Sequence, residues 1–111
     1  MHILIRCSGI GTPDALQDYV LRRLEFSLKR FEHDVEQVTV HLAGAGDAEV
    51  SSDRTCHIVA ELYGGTIFSV EERQMHFSSA VDLALKRITF NITNSLTVQR
   101  DAIDSALRAP E

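Results

Sequence analysis

The segment from Arg54 to Arg87 contains two alternating strand patterns that are joined by a pair of glycines and followed directly by a helical pattern. Apolar residues recur at every second position up to Leu62, and Gly64-Gly65 supplies the positive φ angles that a two-residue hairpin turn needs. The chain then returns as a strand over Thr66–Glu71, and a helix is predicted to begin near Gln74. A hairpin that passes directly into a helix favours a fold in which helices pack on an antiparallel sheet.

The residues before this hairpin predict a strand, a helix and a second strand. Residues 3–7 form the first strand. Thr12 is a suitable N-cap, Pro13 suits the first helical position, and Asp14 is favourably placed against the helix dipole. The pattern changes to period two over residues 37–43, which predicts a strand. The apolar residues of the helix follow at helical spacing: Leu16, Val20, Leu24, Leu28 and Phe31.

The end of the second helix is ambiguous in the sequence. Ile88, Ile92 and Leu96 extend a helical stripe, but apolar residues also alternate over residues 88–98, where β-branched side chains are common. Periodicity alone leaves both structures open. We predict a helix because no glycine or proline between Thr66 and Ala109 marks a turn.

This order of elements predicts an α+β fold, a two-layer β-α-β-β-β-α sandwich. The crossover helix makes the first two strands parallel, and the remaining connections are antiparallel. We expect a four-stranded sheet in the order 1-2-3-4 with both helices on one face, similar to a double-stranded RNA-binding domain with an added strand. Residues 1–100 are predicted to form a single domain, and residues 101–111 a tail that frays or is disordered.

The other face of the predicted sheet is open, and it carries several apolar residues. A two-residue turn places Val59 opposite Val70 and Glu61 opposite Phe68, on the side of the sheet away from the helices. Leu4 joins them from the first strand. Two interpretations remain: scattered surface hydrophobic residues, which are ordinary, or a protein interface that joins two copies sheet to sheet. The candidate interface residues are Leu4, Val59, Phe68 and Val70.

Several classes of function are not supported by the sequence. His41 is predicted to lie opposite His57, but a metal site needs a third ligand that the sequence does not designate. No paired carboxylates, nucleophile elbow or phosphate-binding loop are recognisable, so we expect no enzyme, no cofactor, no metal and no small-molecule substrate. Cys7 and Cys56 lie in predicted strands and are expected to be buried, reduced thiols.

The composition is that of one soluble domain. The chain has 111 residues, of which 44% are hydrophobic and 24% charged. No apolar run reaches the roughly 18–20 residues of a membrane span, and the N-terminal segment does not resemble a secretory signal. A cytoplasmic location is therefore expected, with no membrane partner.

The chain resembles the family of ribosome hibernation-promoting factors, also called ribosomal subunit interface proteins or sigma-54 modulation proteins, in its short form. Family members have DAL and YV motifs in the first helix, a GG-x-IF hairpin and an A-[IV]-D motif in the second helix. The corresponding residues are Asp14-Ala15-Leu16, Tyr19-Val20, Gly64-Gly65, Ile67-Phe68 and Ala80-Val81-Asp82. The resemblance covers residues 1 to about 90, and the family continues its second helix through residues 88–98.

The resemblance implies binding to the 30S ribosomal subunit and its 16S rRNA, in the decoding channel, so that translation stops in stationary phase or under stress. Family members bind through basic residues on the two helices. An ordinary solvated helix face with pairs such as Glu25 and Lys29 explains the same residues equally well. The candidate RNA-binding residues are Arg22, Arg23, Lys29, Arg30, Lys86 and Arg87.

The second helix departs from the family pattern. Ribosome-binding members continue it with lysines and arginines, whereas residues 88–99 carry no charge here, and the net charge of the chain is −5. Polyanion binding depends mainly on Lys and Arg, so this composition opposes tight electrostatic binding to RNA. The alternative is a diverged relative that has lost RNA binding and acts as a protein-interaction or homodimerisation module. The neutral residues Phe90, Asn91, Thr93 and Asn94 favour it.

Overall fold

Four strands and two helices form a two-layer α+β sandwich. A computed structural model describes residues 1–8, 14–44 and 54–107, with side chains described up to residue 98. The strands are β1 (His2–Ser8), β2 (Val35–Ala43), β3 (Arg54–Leu62) and β4 (Ile67–Gln74). Helix α1 (Asp14–Leu28) continues into a 3₁₀ turn (Lys29–Phe31), and helix α2 (Phe77–Leu107) follows β4. The predicted order of elements is confirmed.

The sheet has the predicted strand order β1-β2-β3-β4. β1 is parallel to β2, as the crossover through α1 requires, and the other two pairings are antiparallel. Both helices cover the same face of this sheet. Alternate strand residues and one stripe of each helix meet there in a single core, whose largest fully buried side chains include Val20, Leu24, Leu28, Val38, Leu42, Ile58, Ile88 and Ile92.

Residues 88–98 are helical, as predicted. Ile88 and Ile92 lie one turn apart and are fully buried against the sheet, so the helical stripe outweighs the low helix propensity of β-branched residues. The threonines satisfy their hydroxyl groups within the helix: Thr89 Oγ1 donates to the Leu85 carbonyl oxygen at 2.8 Å, and Thr93 Oγ1 donates to that of Thr89 at 2.8 Å. The helix begins at Phe77 rather than near Gln74 because β4 continues to Gln74, which pairs with Arg54.

The β3–β4 hairpin differs from the prediction by one residue. The loop contains Tyr63 as well as Gly64 and Gly65, and the Leu62 amide donates to the Thr66 carbonyl oxygen at 2.8 Å. Both glycines have positive φ angles, 102° and 98°, which explains why glycine suits these positions. The additional residue changes the pairing of β4.

This change of register reverses the two faces of β4. Val70 lies opposite Ile58 and Phe68 opposite Ala60, so both point to the core, and only 3% of Val70 is exposed. The predicted placement of Phe68 and Val70 on the open face is therefore wrong. Their neighbours in the chain, Ile67 and Ser69, occupy that face instead.

Some predictions fall outside the described residues. These are the N-cap Thr12, the helix-initiating Pro13, and most of the connection between β2 and β3, residues 45–53. The backbone of α2 continues through residues 101–107, and the division of the chain at residue 100 stays a prediction.

Candidate functional site

Asp82, near the start of α2, joins this helix to the middle of α1. Its Oδ1 accepts a hydrogen bond from the Tyr19 hydroxyl at 3.1 Å and another from Arg23 Nε at 3.1 Å. Burial and the contact with Asp82 raise the pKa of Tyr19. Because the Arg23 and Asp82 side chains remain 41% and 46% exposed, this ion pair orients the helices but contributes at most about 1 kcal/mol.

Arg87 is held against strand β4. Its Nη1 donates to Glu72 Oε1 at 2.8 Å and to the Glu71 carbonyl oxygen at 3.1 Å. The Glu72 side chain is only 20% exposed, so its charge is matched by Arg87 at the boundary of the core. Glu72 therefore neutralises part of the charge of Arg87, which leaves less of it for an external phosphate group.

Arg30 also has partners within the fold. Its guanidinium lies 4.6 Å from the centre of the Phe31 ring, a cation–π contact, and Nη2 donates a long hydrogen bond of 3.5 Å to Thr93 Oγ1 on α2. Since Tyr19 and Arg23 contact Asp82, and Arg30 contacts Thr93 farther along α2, the two helices run in the same direction.

The remaining three candidate cations are exposed. Arg22, Lys29 and Lys86 form no ion pair among the described side chains. Lys29 shares a shallow depression with two carboxylates, Glu25 and Glu32. The structure thus brings the six predicted residues to the helical layer, but carboxylates lie among them.

The middle of α2 forms a surface of its own beside the edge strand β4, which we call the α2 groove. Its first part is lined by Lys86, Arg87, Phe90 and Asn91. Its second part shares Asn91 and is lined further by Asn94, Ser95, Val98, Thr66 and Phe68. No carboxylate is among these residues, and Phe90 is 65% exposed. The sequence pointed to part of this surface through the neutral residues Phe90, Asn91 and Asn94, but it did not bring them together with Thr66 and Phe68.

The open face of the sheet is more polar than predicted. Leu4, Thr39, Val59 and Ser69 lie in one row across the four strands, and the exposed Ile67 lies nearby on β4. With Phe68 and Val70 turned to the core, Leu4 and Val59 are the two predicted interface residues that remain on this face.

His41 and His57 are direct neighbours across β2 and β3, as predicted. Each Nε2 lies 2.6 Å from a serine hydroxyl oxygen, that of Ser8 for His41 and that of Ser69 for His57. Across the part of the chain that the structure describes, no group of three or more His, Cys, Asp or Glu side chains is arranged to hold a metal ion. The contacts of the pair are therefore those of a polar sheet surface.

Cys56 and Cys7 are both free thiols. Cys56 is fully buried in the core, where burial and then the nearby Glu72 raise its pKa to about 12. Cys7 is half-buried and packs at the edge of the core. A thiol with so high a pKa is a poor nucleophile, which fits a packing role for Cys56.

Within the described residues, no helix has both the length and the apolar character that crossing a membrane requires.

The family model described as "Sigma 54 modulation protein / S30EA ribosomal protein" matches residues 3–97. The chain belongs to this family. The family is not enzymatic, in agreement with the prediction that the chain is not an enzyme. Tyr19 and Asp82, two of the residues on which the predicted resemblance rested, contact each other and join α1 to α2.

A curated relative and two solved structures are similar to this chain. The "Ribosome hibernation promotion factor" of Picosynechococcus sp. is 26% identical over 88 residues, which are 79% of this chain and 45% of the relative. This chain thus spans about half the length of that protein. The crystal structure of the Thermus thermophilus Protein Y N-terminal domain has a TM-score of 0.68 at 26% identity and covers 85% of this chain and 98% of that one.

A ribosomal subunit interface protein from Coxiella burnetii has the same fold. Its TM-score is 0.69 at 14% identity, over 87% of this chain and 99% of that one.

Proposed function

We propose that this chain is a cytoplasmic, ribosome-associated hibernation factor that acts by binding alone. The observation that carries the proposal is the family match over residues 3–97, on a fold shared with the Protein Y N-terminal domain. The name of the Picosynechococcus relative supports the same function. In finer detail, we propose that the chain occupies the decoding channel of the 30S subunit against 16S rRNA, in stationary phase or under stress.

The six cations of the helical layer are proposed to contribute unequally to this binding. Arg22, Lys29 and Lys86 have no ion-pair partner among the described side chains, so they are available to phosphate groups without loss of an internal contact. The other three cations already donate a hydrogen bond within the fold, and each must weaken or break that contact to bind RNA. They are Arg23, Arg30 and Arg87. Binding should therefore depend most on Arg22, Lys29 and Lys86.

The net charge of the chain affects the rate at which it associates with the ribosome. A net charge of −5 repels a polyanion at long range, so association is not accelerated by electrostatic steering. Within a Debye length of about 8–10 Å, local cations can still contact phosphates. We therefore propose a contact that forms by close fit between the helical layer and the subunit.

Co-sedimentation of the purified protein with 30S subunits and vacant 70S ribosomes, at ~50 and ~200 mM salt, tests this function. The test variant is Arg22→Glu with Lys86→Glu, which changes two exposed cations of the helical layer. The matched control is Arg6→Glu with Arg73→Glu, which makes the same change of charge on the exposed sheet face. We expect saturable binding that the test variant loses and the control keeps.

The absence of binding at the lower salt concentration would contradict the proposal. It would favour the alternative, a relative that has lost RNA binding and acts as a protein-interaction or homodimerisation module. The carboxylates that already engage Arg23 and Arg87 are the observation that favours this alternative. Its proposed surface is the open sheet face with Leu4, Val59 and Ile67, and Val59→Glu would then dissociate a dimer that size-exclusion chromatography with light scattering detects.

A further inference from the structure

We infer that the α2 groove is a binding site for unpaired RNA bases, in which Phe90 is the stacking platform. The inference rests on the proposed ribosomal function and deepens it, because it names a contact that does not depend on a basic helix. It is carried by the composition and placement of the groove residues.

Phe90 has the exposure that base stacking needs. An exposed aromatic side chain by itself is ordinary on a protein surface. Phe90, however, is 65% exposed within a depression that it shares with Lys86, Arg87 and Asn91. Aromatic rings beside cations are the usual platform for single-stranded nucleic acid, because every base has a face that stacks.

The polar residues of the groove suit the edges of bases. Asn91 and Asn94 lie three positions apart on α2, and each amide offers both donors and an acceptor. The hydroxyl groups of Ser95 and Thr66 add further donors and acceptors. Unpaired bases expose the hydrogen-bonding edges that such groups recognise, whereas the bases of an A-form duplex are poorly accessible.

The charges of the groove also favour RNA. Lys86 is exposed and forms no ion pair among the described side chains, and Arg87 shares its charge with Glu72. Among the described side chains, which end at residue 98, no Asp or Glu lines either part of the groove. The cation at one end can contact a phosphate while the neutral part of the groove holds bases.

The length of the groove sets the size of the ligand. Lys86 and Val98 are twelve residues apart, which corresponds to about 18 Å along an α-helix. This is sufficient for a short single strand of a few nucleotides.

The salt dependence of binding distinguishes this site from a purely basic surface. With one or two phosphate contacts, the affinity for single-stranded RNA should fall only about three- to sevenfold between ~50 and ~200 mM salt. A surface that neutralises many phosphates would lose orders of magnitude over the same range.

The test uses the full chain and a fluorescently labelled single-stranded RNA 12-mer of mixed sequence, whose binding is followed by anisotropy, with 30S co-sedimentation alongside. Phe90→Ala should weaken oligonucleotide binding about tenfold and also weaken 30S binding. Phe90→Trp should retain binding. Because the natural chain has no tryptophan, the fluorescence of this variant reports on position 90 alone and should be quenched when a base stacks on it.

Phe26 provides the matched control because it is 81% exposed on α1 and lines neither part of the groove. Phe26→Ala should bind as the natural chain does, and Phe26→Trp should show no quenching. Circular dichroism and the urea midpoint should be unchanged in all four variants, since both side chains are exposed.

Each other outcome overturns the inference. If Phe90→Ala binds 30S subunits and the oligonucleotide as the natural chain does, the base site is wrong while the ribosomal function stands. If the natural chain binds neither, both proposals fail together. If a duplex of the same sequence binds equally well and leaves Phe90→Trp unquenched, the contact is to phosphates alone. If Phe90→Ala converts a dimer to a monomer, the groove is an interface between copies of the chain.

Discussion

Ion pairs of individual residues leave fewer unpaired cations on the helical layer than the sequence suggests. The six basic residues were predicted to be on this layer, but their partners could not be read from the chain. Arg23 meets Asp82, 59 positions away, and Arg87 meets Glu72, 15 positions away. Such contacts depend on how α2 packs beside α1 and over β4, which no local spacing specifies.

Asp82→Asn should lower the pKa of Tyr19. The substitution removes the negative charge that accepts the tyrosine hydroxyl, while Arg23, whose charge lowers this pKa, stays in place. Burial, the largest cause of the shift, is unchanged, so the pKa should remain above its ordinary value. Ultraviolet titration in a Tyr63→Phe background isolates Tyr19, and an unchanged titration would contradict the observed hydrogen bond.

The two cysteines should differ in reactivity. Cys56 is buried and its pKa is raised to about 12, so it is scarcely ionised near pH 8, whereas Cys7 is half-buried. We expect iodoacetamide to modify Cys7 first and Cys56 only when the protein unfolds. Mass spectrometry of timed samples measures both rates, and equal rates in the folded protein would contradict the placement of Cys56.

Stability should also fall at high pH because of Cys56. Its pKa is higher in the folded chain than the ordinary 9.0, so the unfolded chain releases its proton first. The folded state is therefore disfavoured as pH rises from about 9 to about 12. Urea unfolding of Cys56→Ala over this range should show a smaller decline than the natural chain, although its stability at neutral pH is lower.

At the scale of elements, the hairpin shows what sequence periodicity can and cannot specify. Gly64-Gly65 correctly indicated a hairpin, and the alternation of β3 correctly identified Ile58 and Ala60 as buried. The strand after the turn begins with Ile67 and Phe68, which are apolar on both faces, so the pattern did not decide which face is inward. The inclusion of Tyr63 in the loop decided it.

A pair of adjacent substitutions tests this register. Val70→Asp places a carboxylate in the core and should lower the unfolding free energy by at least about 3 kcal/mol. Ser69→Asp makes a carboxylate at the next position, on the open face beside His57, and should cost less than about 1 kcal/mol. Urea denaturation measures both free energies of unfolding. If Ser69→Asp were the more destabilising substitution, the register predicted from a two-residue turn would be correct instead.

For the whole molecule, the fold follows from sequence more closely than the function does. Strand order, the common face of both helices and the helical state of residues 88–98 were all predicted, because buried stripes and chain connectivity determine them. The proposed binding depends on charges and exposed groups such as Lys86 and Phe90, which leave no periodic pattern in the sequence. For an acidic chain whose residues 88–99 carry no charge, we therefore propose a ribosomal contact made by fit and stacking as well as by charge.

We propose that the chain occupies the decoding channel of the small subunit, and a competition experiment tests this placement. Binding of the labelled protein is compared between vacant 30S subunits and 30S subunits that already hold messenger RNA and a transfer RNA. The labelled protein should bind the vacant subunits and should not bind the occupied ones. Equal binding to both would contradict it, and would place the protein elsewhere on the subunit.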